Sequence, residues 1–341
     1  MPSGYVRESF ESVPGNETNS PTLSTKKLFP PIQSVQPKLG AKPLSRDDEL
    51  RNQDEPLAVI TDAFEPAWEY KSRAYPDVTG WRLKHICGEP TTTAGNGIIT
   101  DPDGVVIPTG AYRHVFKAPF GPAGASPLTV AMEAAYADQS TYFRLKGVAC
   151  AELSIETPEE GGASLSANGP ACYMQRIADP ALSPAYEALS IRPFVRGNLA
   201  LSWLGGGGTT QDFSLTIANP VEAVRSLGIA SKFPDIMEKA NEGPIVVSGS
   251  IPKRQLDPDD YDALLNATGF AALAKWVSDS LITGAYPYKL FLGMANCQYI
   301  DGDVDALQNQ RRHGASFNWK STTASTGSTT ITLVNATPNY A

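Results

Sequence analysis

Four short patterns occur in the first two-thirds of this 341-residue chain and return, in the same order, in the last third. Leu57-Ala58-Val59-Ile60 precedes a helix-like stretch ending near Gly88, and Ile245-Val246-Val247-Ser248 precedes another through Leu264. Leu145-Lys146-Gly147-Val148-Ala149-Cys150 is matched by Phe291-Leu292-Gly293-Met294-Ala295-Asn296-Cys297. Gly162-Ala163-Ser164 is echoed by Gly314-Ala315-Ser316, and Leu215-Thr216-Ile217-Ala218-Asn219 by Ile331-Thr332-Leu333-Val334-Asn335. Their shared order implies one β-rich unit used twice. A duplicated β unit without chemical motifs points to assembly rather than catalysis.

The composition agrees with a mainly β fold. Gly 29 and Pro 28 against 19% charged residues favour many short strands and turns, with only short helices. A formal net charge of −8 argues against a broad cationic surface for nucleic acid. Cys87, Cys150, Cys172 and Cys297 are scattered, with no C-x-x-C, and are expected to be buried free thiols. No apolar run approaches the roughly 18 residues of a membrane span, and Met1-Pro2-Ser3-Gly4 does not begin a secretion signal. The expectation is a soluble chain made in the cytoplasm.

Three regions follow from the pattern. Residues 1–56 are polar and proline-rich and lack a sustained period; they read as a disordered tail or as an extended N-terminal arm that orders on a neighbour. Residues 57–228 form a first β unit with loop insertions, and 229–341 a second. The spacing predicts a helix over 77–88, stopped by Gly88, then a surface loop over 89–112 with a tight turn at Asp101-Pro102-Asp103-Gly104. Strands are predicted at 113–118, 128–133, 142–156 and 162–168, then a hairpin over 198–219 with Gly205 to Gly208 at its tip. Asp257, Pro258, Asp259 and Asp260 start a helix over 258–268 whose apolar face is Tyr261, Leu264 and Leu265; a second helical piece is expected from Phe270 to Leu281. Strands at 289–299, 314–320 and 329–335 close the chain.

No catalytic constellation emerges. Gly205 to Gly208 is followed by Thr209-Thr210, without the lysine of a phosphate loop. Asp301, Asp303 and Asp305 imitate a calcium loop, but Ala306 and Arg312 stand where Gly and Glu are required, so a solvated acidic turn is the better reading. His85, His114 and His313 share no metal-binding spacing, and Ser250 is not in a nucleophile elbow. Glu159-Glu160 and Asp259-Asp260 read as turns or helix starts rather than a glycosidase pair. No catalytic, cofactor-binding or metal residue is therefore assigned, and the chain is not expected to be an enzyme. Trp203, Trp276 and Trp319 leave a carbohydrate-binding β-sandwich open as a rival.

Tyr5-Val6-Arg7-Glu8-Ser9-Phe10, Lys26-Lys27-Leu28-Phe29-Pro30 and Asp47-Asp48-Glu49-Leu50-Arg51 resemble the N-terminus of the phage tail tube (major tail) proteins of long, non-contractile, siphovirus-like tails. The resemblance continues through Ala63 to Gly88, through Tyr142 to Gly147 with Ala151 to Ile155, and through Val247-Ser248-Gly249-Ser250 and Ile331 to Asn335. It implies a β-sandwich or barrel-like fold flanked by short helices. Subunit sheets would join into a β-barrel around a lumen, in rings that stack in the virion tail, with other tail proteins as partners. Tape measure protein and DNA would pass without specific binding, aided by an acid-rich wall. The duplication favours three chains per ring with pseudo-sixfold symmetry, six full chains being the alternative; a terminator or distal tail ring is a further rival. The last strand ends just before Tyr340-Ala341, so no immunoglobulin-like decoration is expected. Residues 1–46 and the 89–112 and 204–210 loops are the expected contacts between rings or neighbours, and removing 1–46 is expected to spare the β fold.

Overall fold

A computed structural model describes residues 5–11, 27–28, 32–44, 60–120, 127–136, 141–177, 192–195, 199–204, 210, 212–226, 231–240, 244–253, 257–304, 315–322 and 329–340. The elements before the midpoint are β1 (Tyr5–Phe10), β2 (Lys27–Leu28), β3 (Ile32–Lys38), β4 (Ala41–Leu44), β5 (Ile60–Phe64), β6 (Ala67–Arg73), α1 (Pro76–Cys87), β7 (Thr91–Ala94), β8 (Tyr112–Lys117), β9 (Thr129–Tyr136), β10 (Thr141–Ala149), β11 (Glu152–Thr157) and β12 (Ser164–Pro170). Then come β13 (Tyr173–Ile177), β14 (Leu199–Ser202), β15 (Phe213–Ala218), β16 (Val221–Val224), β17 (Ile236–Lys239), β18 (Val246–Lys253), α2 (Pro258–Leu265), β19 (Phe270–Thr283), β20 (Tyr286–Val304), β21 (Ala315–Ser321) and β22 (Thr330–Asn335). The mainly β expectation holds.

One antiparallel sheet dominates, in the order β3-β6-β12-β11-β15-β18-β21-β20-β22-β8-β7, with β19 also on β20 and β14 on β19. A second sheet runs β13-β10-β9-β1-β2, and β4–β5 and β16–β17 are separate ribbons. The pairing runs through the same course twice. β6 precedes α1 and β18 precedes α2; a hairpin follows each, β19–β20 directly after α2 and β9–β10 after α1 and the inserted β7–β8 pair. β12 returns on β11, and β21 on the C-terminal half of β20. β13 then pairs with β10, as β22 pairs with the N-terminal half of β20. The first copy divides after Ala149 what the second keeps as one 19-residue strand.

One of the four echoes, that between β15 and β22, therefore matches different strands, and another lies largely outside the described residues. The counterpart of β18 by pairing is β6, whereas Leu57-Ala58-Val59 lies outside the described residues. The counterpart of β22 is β13, while β15 sits between β11 and β18 and joins the two copies. Short apolar runs of strand type resemble one another whatever their partners, so identity of pattern did not fix identity of place. The Gly162 and Gly314 echo does open equivalent strands, β12 and β21.

α1 forms where the sequence predicts a helix and ends before Gly88, at φ 91°, as expected; Pro76, at its first position, and Asp77 set its start. Asp257 caps α2 by accepting from the Asp259 amide. The apolar face assigned to α2 is corrected, because Tyr261 and Leu265 are exposed and Asp260 points inward. The helical piece from Phe270 to Leu281 is corrected to β19. Its burial alternates, with Ala272, Ala274, Trp276 and Ser278 inside, so pairing with β20 overrides the helix propensity of an Ala-rich run. The 198–219 hairpin is also corrected: β14 pairs with β19, and β15 with β11 and β18.

Within 1–56 the described segments are strands of this same chain rather than a tail. β1 pairs with β9, and β3 with β6. Glu8 on β1 is wholly buried and takes 2.7 and 2.6 Å bonds from both terminal nitrogens of Arg82 on α1, with the Trp81 indole donating at 2.8 Å. The guanidinium lies 4.3 Å from the Tyr70 ring centre. Glu11 accepts from the Thr129 hydroxyl and the Gly147 amide. Removing 1–46 would thus strip a buried carboxylate from a buried cation, which reverses the expectation that the β fold survives.

Arg82→Ala leaves Glu8 buried and uncompensated, and is expected to cost about 3–5 kcal/mol in urea unfolding. His85, stacked on Trp68 and donating from Nε2 to the Val148 carbonyl, is pushed down to about 3 by burial and the neighbouring Arg82. The native ring stays neutral where the unfolded ring takes up a proton, near the ordinary value of about 6.5. Its contribution is complete above that pH and is lost, at about 1.4 kcal/mol per unit, as pH falls towards 3. Denaturant titrations from pH 7 to 4 should show a shallower acid slope in His85→Gln.

Candidate functional surface

Strands with a period of two give the long sheet one dry and one wet face. Along β15, Phe213, Leu215 and Ile217 are buried while Ser214, Thr216 and Ala218 face away. β12 buries Leu165 and Ala167 and turns out Ser164, Ser166 and Asn168. β21 buries Phe317 and Trp319 and exposes Ser316 and Asn318. Cross-strand partners share a face, so the wet side is continuous from β3 to the C-terminal half of β20.

The wet face is rich in hydroxyls bonded to one another. Ser154 meets Thr216 at 3.0 Å and Ser214 meets Ser250 at 2.9 Å, across β11, β15 and β18. Gly249 lets these strands close up, since a Cβ there would lie 1.9 Å from the Ser214 carbonyl oxygen. On β6, Glu69 bridges Lys71 at 3.0 Å and Lys38 of β3 at 3.4 Å. Their hydrogen bonds, that of Lys71 first, hold its carboxyl below the usual range. With Glu69, the acids Glu152, Glu156, Asp301 and Asp303 make five on this face, against the four bases Lys38, Lys71, Arg73 and Lys320. The face is hydroxylated and nearly balanced in charge. It can hydrogen-bond water and offers no concentrated charge to a polyanion.

The dry face is a fused aromatic core. Trp203, Trp276 and Trp319 are all buried, Trp203 lying 5.4 Å from Trp319 and Phe213 5.7 Å from Trp276. None of these three indoles is left out for a sugar to stack on, which removes the basis of the carbohydrate reading. Beneath the sheet, Lys253 reaches Asp260 at 2.5 Å and the Leu204 carbonyl at 2.7 Å, and Asp260 accepts from Tyr299. Asp260 is thus a buried ion-pair partner, not a solvated helix start.

The stretch 89–112 is only partly a surface loop. β7 pairs with β8, and Ile107 and Ala111 pack with Tyr286 and Val334. The predicted turn at Asp101 is present, its carboxylate accepting from the Asp103 and Val105 amides, from Tyr286 at 2.7 Å and from Lys289 at 2.6 Å. Burial alone would raise the Asp101 carboxyl; the Lys289 and Tyr286 bonds outweigh it and hold it below the ordinary value. Ile98 protrudes nearby, 80% exposed.

The remaining candidates are dispersed. Asp301 and Asp303 lie on β20, not in an acidic turn, and Asp305, Ala306, Arg312 and His313 fall outside the described residues, as do Gly205 to Gly208. His114 is held by Asn335, Thr337 and Thr92. Glu159 and Glu160 follow β11 in a bend. The four cysteines are free and buried. Among the described residues no group of His, Cys, Asp and Glu is arranged to hold a metal ion, and no helix is long and apolar enough to cross a membrane.

A family model described as phage tail tube protein matches residues 3–321. No curated protein matches the chain.

The two faces separate cleanly by substitution. Asn318→Lys on the wet side should change the unfolding free energy by no more than about 0.5 kcal/mol. Phe317→Lys, its neighbour on the dry side, should abolish cooperative unfolding, because it buries an unpaired charge. Equal effects in urea titrations would reject the assignment of faces.

Proposed function

The chain belongs to the phage tail tube protein family, and we propose that its long sheet lines the channel of the tube with the hydroxylated face inward. As a member of that family it is a structural component of the virion tail. The observation that carries the rest is the internal repeat of pairing: β3-β6-β12-β11 and β15-β18-β21-β20 are two four-stranded blocks of the same order. On this reading β3 belongs to the first unit and β15 opens the second, which moves the boundary ahead of β15 instead of 228.

Each block corresponds to one position in a ring, so three chains supply six quasi-equivalent positions. Joining the blocks around the ring covers their outer edges, the usual hazard of a long antiparallel sheet. Rings then stack, with the exposed Ile98 loop among the contacts between them. The tape measure protein and DNA pass a wall that is wet, hydrogen-bonded within itself and close to neutral. Neither attraction nor strong repulsion is needed for such a wall to let a polyanion slide. The role is non-catalytic, and the long non-contractile tail type follows the sequence resemblance.

Electron microscopy of the concentrated protein should show hollow stacked tubes with threefold rotational averages. Rings that never stack would favour a terminator or distal tail component. Tubes carrying Ser166→Lys, Thr216→Lys and Asn318→Lys together should retain short duplex DNA at 50 mM salt and release it by 200 mM, whereas wild-type tubes should retain none; this salt range weakens phosphate-driven binding by orders of magnitude.

A further inference from the structure

We propose that β3 of one subunit pairs antiparallel with the C-terminal half of β20 of the next, in the register that β15 and β11 use inside the chain. The inference rests on the tube reading and adds which strands, and which residues, close the ring. Within the chain the two blocks meet at one junction: Glu152 opposite Ala218, Ser154 opposite Thr216 and Glu156 opposite Ser214. The pairing partners carry this pattern onto the outer edges of the two blocks. Glu152 and Glu156 on β11 oppose Asn168 and Ser164 of β12; in the second copy Gln298 and Asp303 oppose Lys320 and Ser316 of β21. Thr216 and Ala218 on β15 oppose Ser248 and Val246 of β18; in the first copy Gln36 and Lys38 oppose Glu69 and Ala67 of β6. Transferring the register sets Gln298 against Lys38, Asp301 against Gln36 and Asp303 against Ser34.

Independent features agree. β3 ends the order of the long sheet on one side, and beyond Cys297 β20 pairs only with β21 among the described strands. α2 packs against β20 as α1 packs against β11, and α1 does not prevent β11 from pairing with β15. The charges of Ser34–Lys38 come from Lys38 alone, and those of Gln298–Asp303 from Asp301 and Asp303, so the edges have opposite sign. Ile300, the extra residue of the bulge in β20, is 60% exposed at this edge and would be covered by the neighbour. Pro37 lacks an N–H and takes at most one bond from one of its two ladders.

Directly opposed residues have Cα atoms about 4.5–5.5 Å apart, within disulfide reach, and the four native cysteines are buried. Gln36→Cys and Asp301→Cys chains, mixed, assembled under reduction and then mildly oxidised, should give a mixed disulfide dimer on a non-reducing gel. The double variant should give a covalent ladder that closes at three chains, and Ser34→Cys with Asp303→Cys should behave alike. Tubes that assemble but give no disulfide for either pair, or as much for the out-of-register pair Lys38→Cys with Asp303→Cys, overturn the junction while leaving the tube reading intact. A ladder that closes at six chains overturns the junction's quasi-equivalence. Wild-type protein that forms no tubes under any assembly condition overturns both.

Discussion

The backbone ladder between β11 and β15 is the interaction on which the rest of this molecule depends. It aligns Glu152 through Thr157 with Ala218 through Phe213 and makes one sheet of two. Because side chains alternate, a shift by one residue would send Leu215 and Ile217 to water and Ser214 and Thr216 into the core. The ladder therefore fixes both the hydroxylated face and the aromatic one. The core is continuous across it: the Trp276 indole of the second copy donates to Thr157 of the first at 3.0 Å.

A second constraint anchors the N-terminal strand. Glu8 and Arg82 are fully buried, and their bidentate bond ties β1 to α1. Such a pair contributes little net stability compared with an apolar replacement, but it is strongly destabilising to break. It serves here to place the strand. The Lys253, Asp260 and Tyr299 cluster has the same character under the second copy. Neither cluster has the concave, substrate-accessible arrangement of a catalytic site, since each charge is already matched by its partners.

Much of this architecture could be read in the residues. α1 and the start of α2 were legible because Gly88, Asp257 and Pro258 act through local backbone geometry. Strands such as β8, β9, β12, β21 and β22 were legible from period-two alternation. What could not be read were facts of distant pairing. β19 carries a helix-prone Ala-rich sequence, and only its register with β20 makes it a strand. β14 and β15 look like two arms of a hairpin, yet each bonds to strands distant in sequence. The hydroxylated face left a trace, in Ser214, Thr216, Ser248 and Ser250 at alternate positions. That trace acquires meaning only once β15 and β18 are known to be neighbours.

The fusion of two blocks has a kinetic consequence. A junction between separate chains forms at a rate set by their concentration, and dilution undoes it. The β11–β15 junction is intramolecular, so its halves meet at an effective concentration that dilution does not change. Half of the seams around a closed threefold wall would thus already be made when each chain folds. Nucleation of such a wall is an encounter of three bodies rather than six, and its onset is correspondingly less steep in protein concentration.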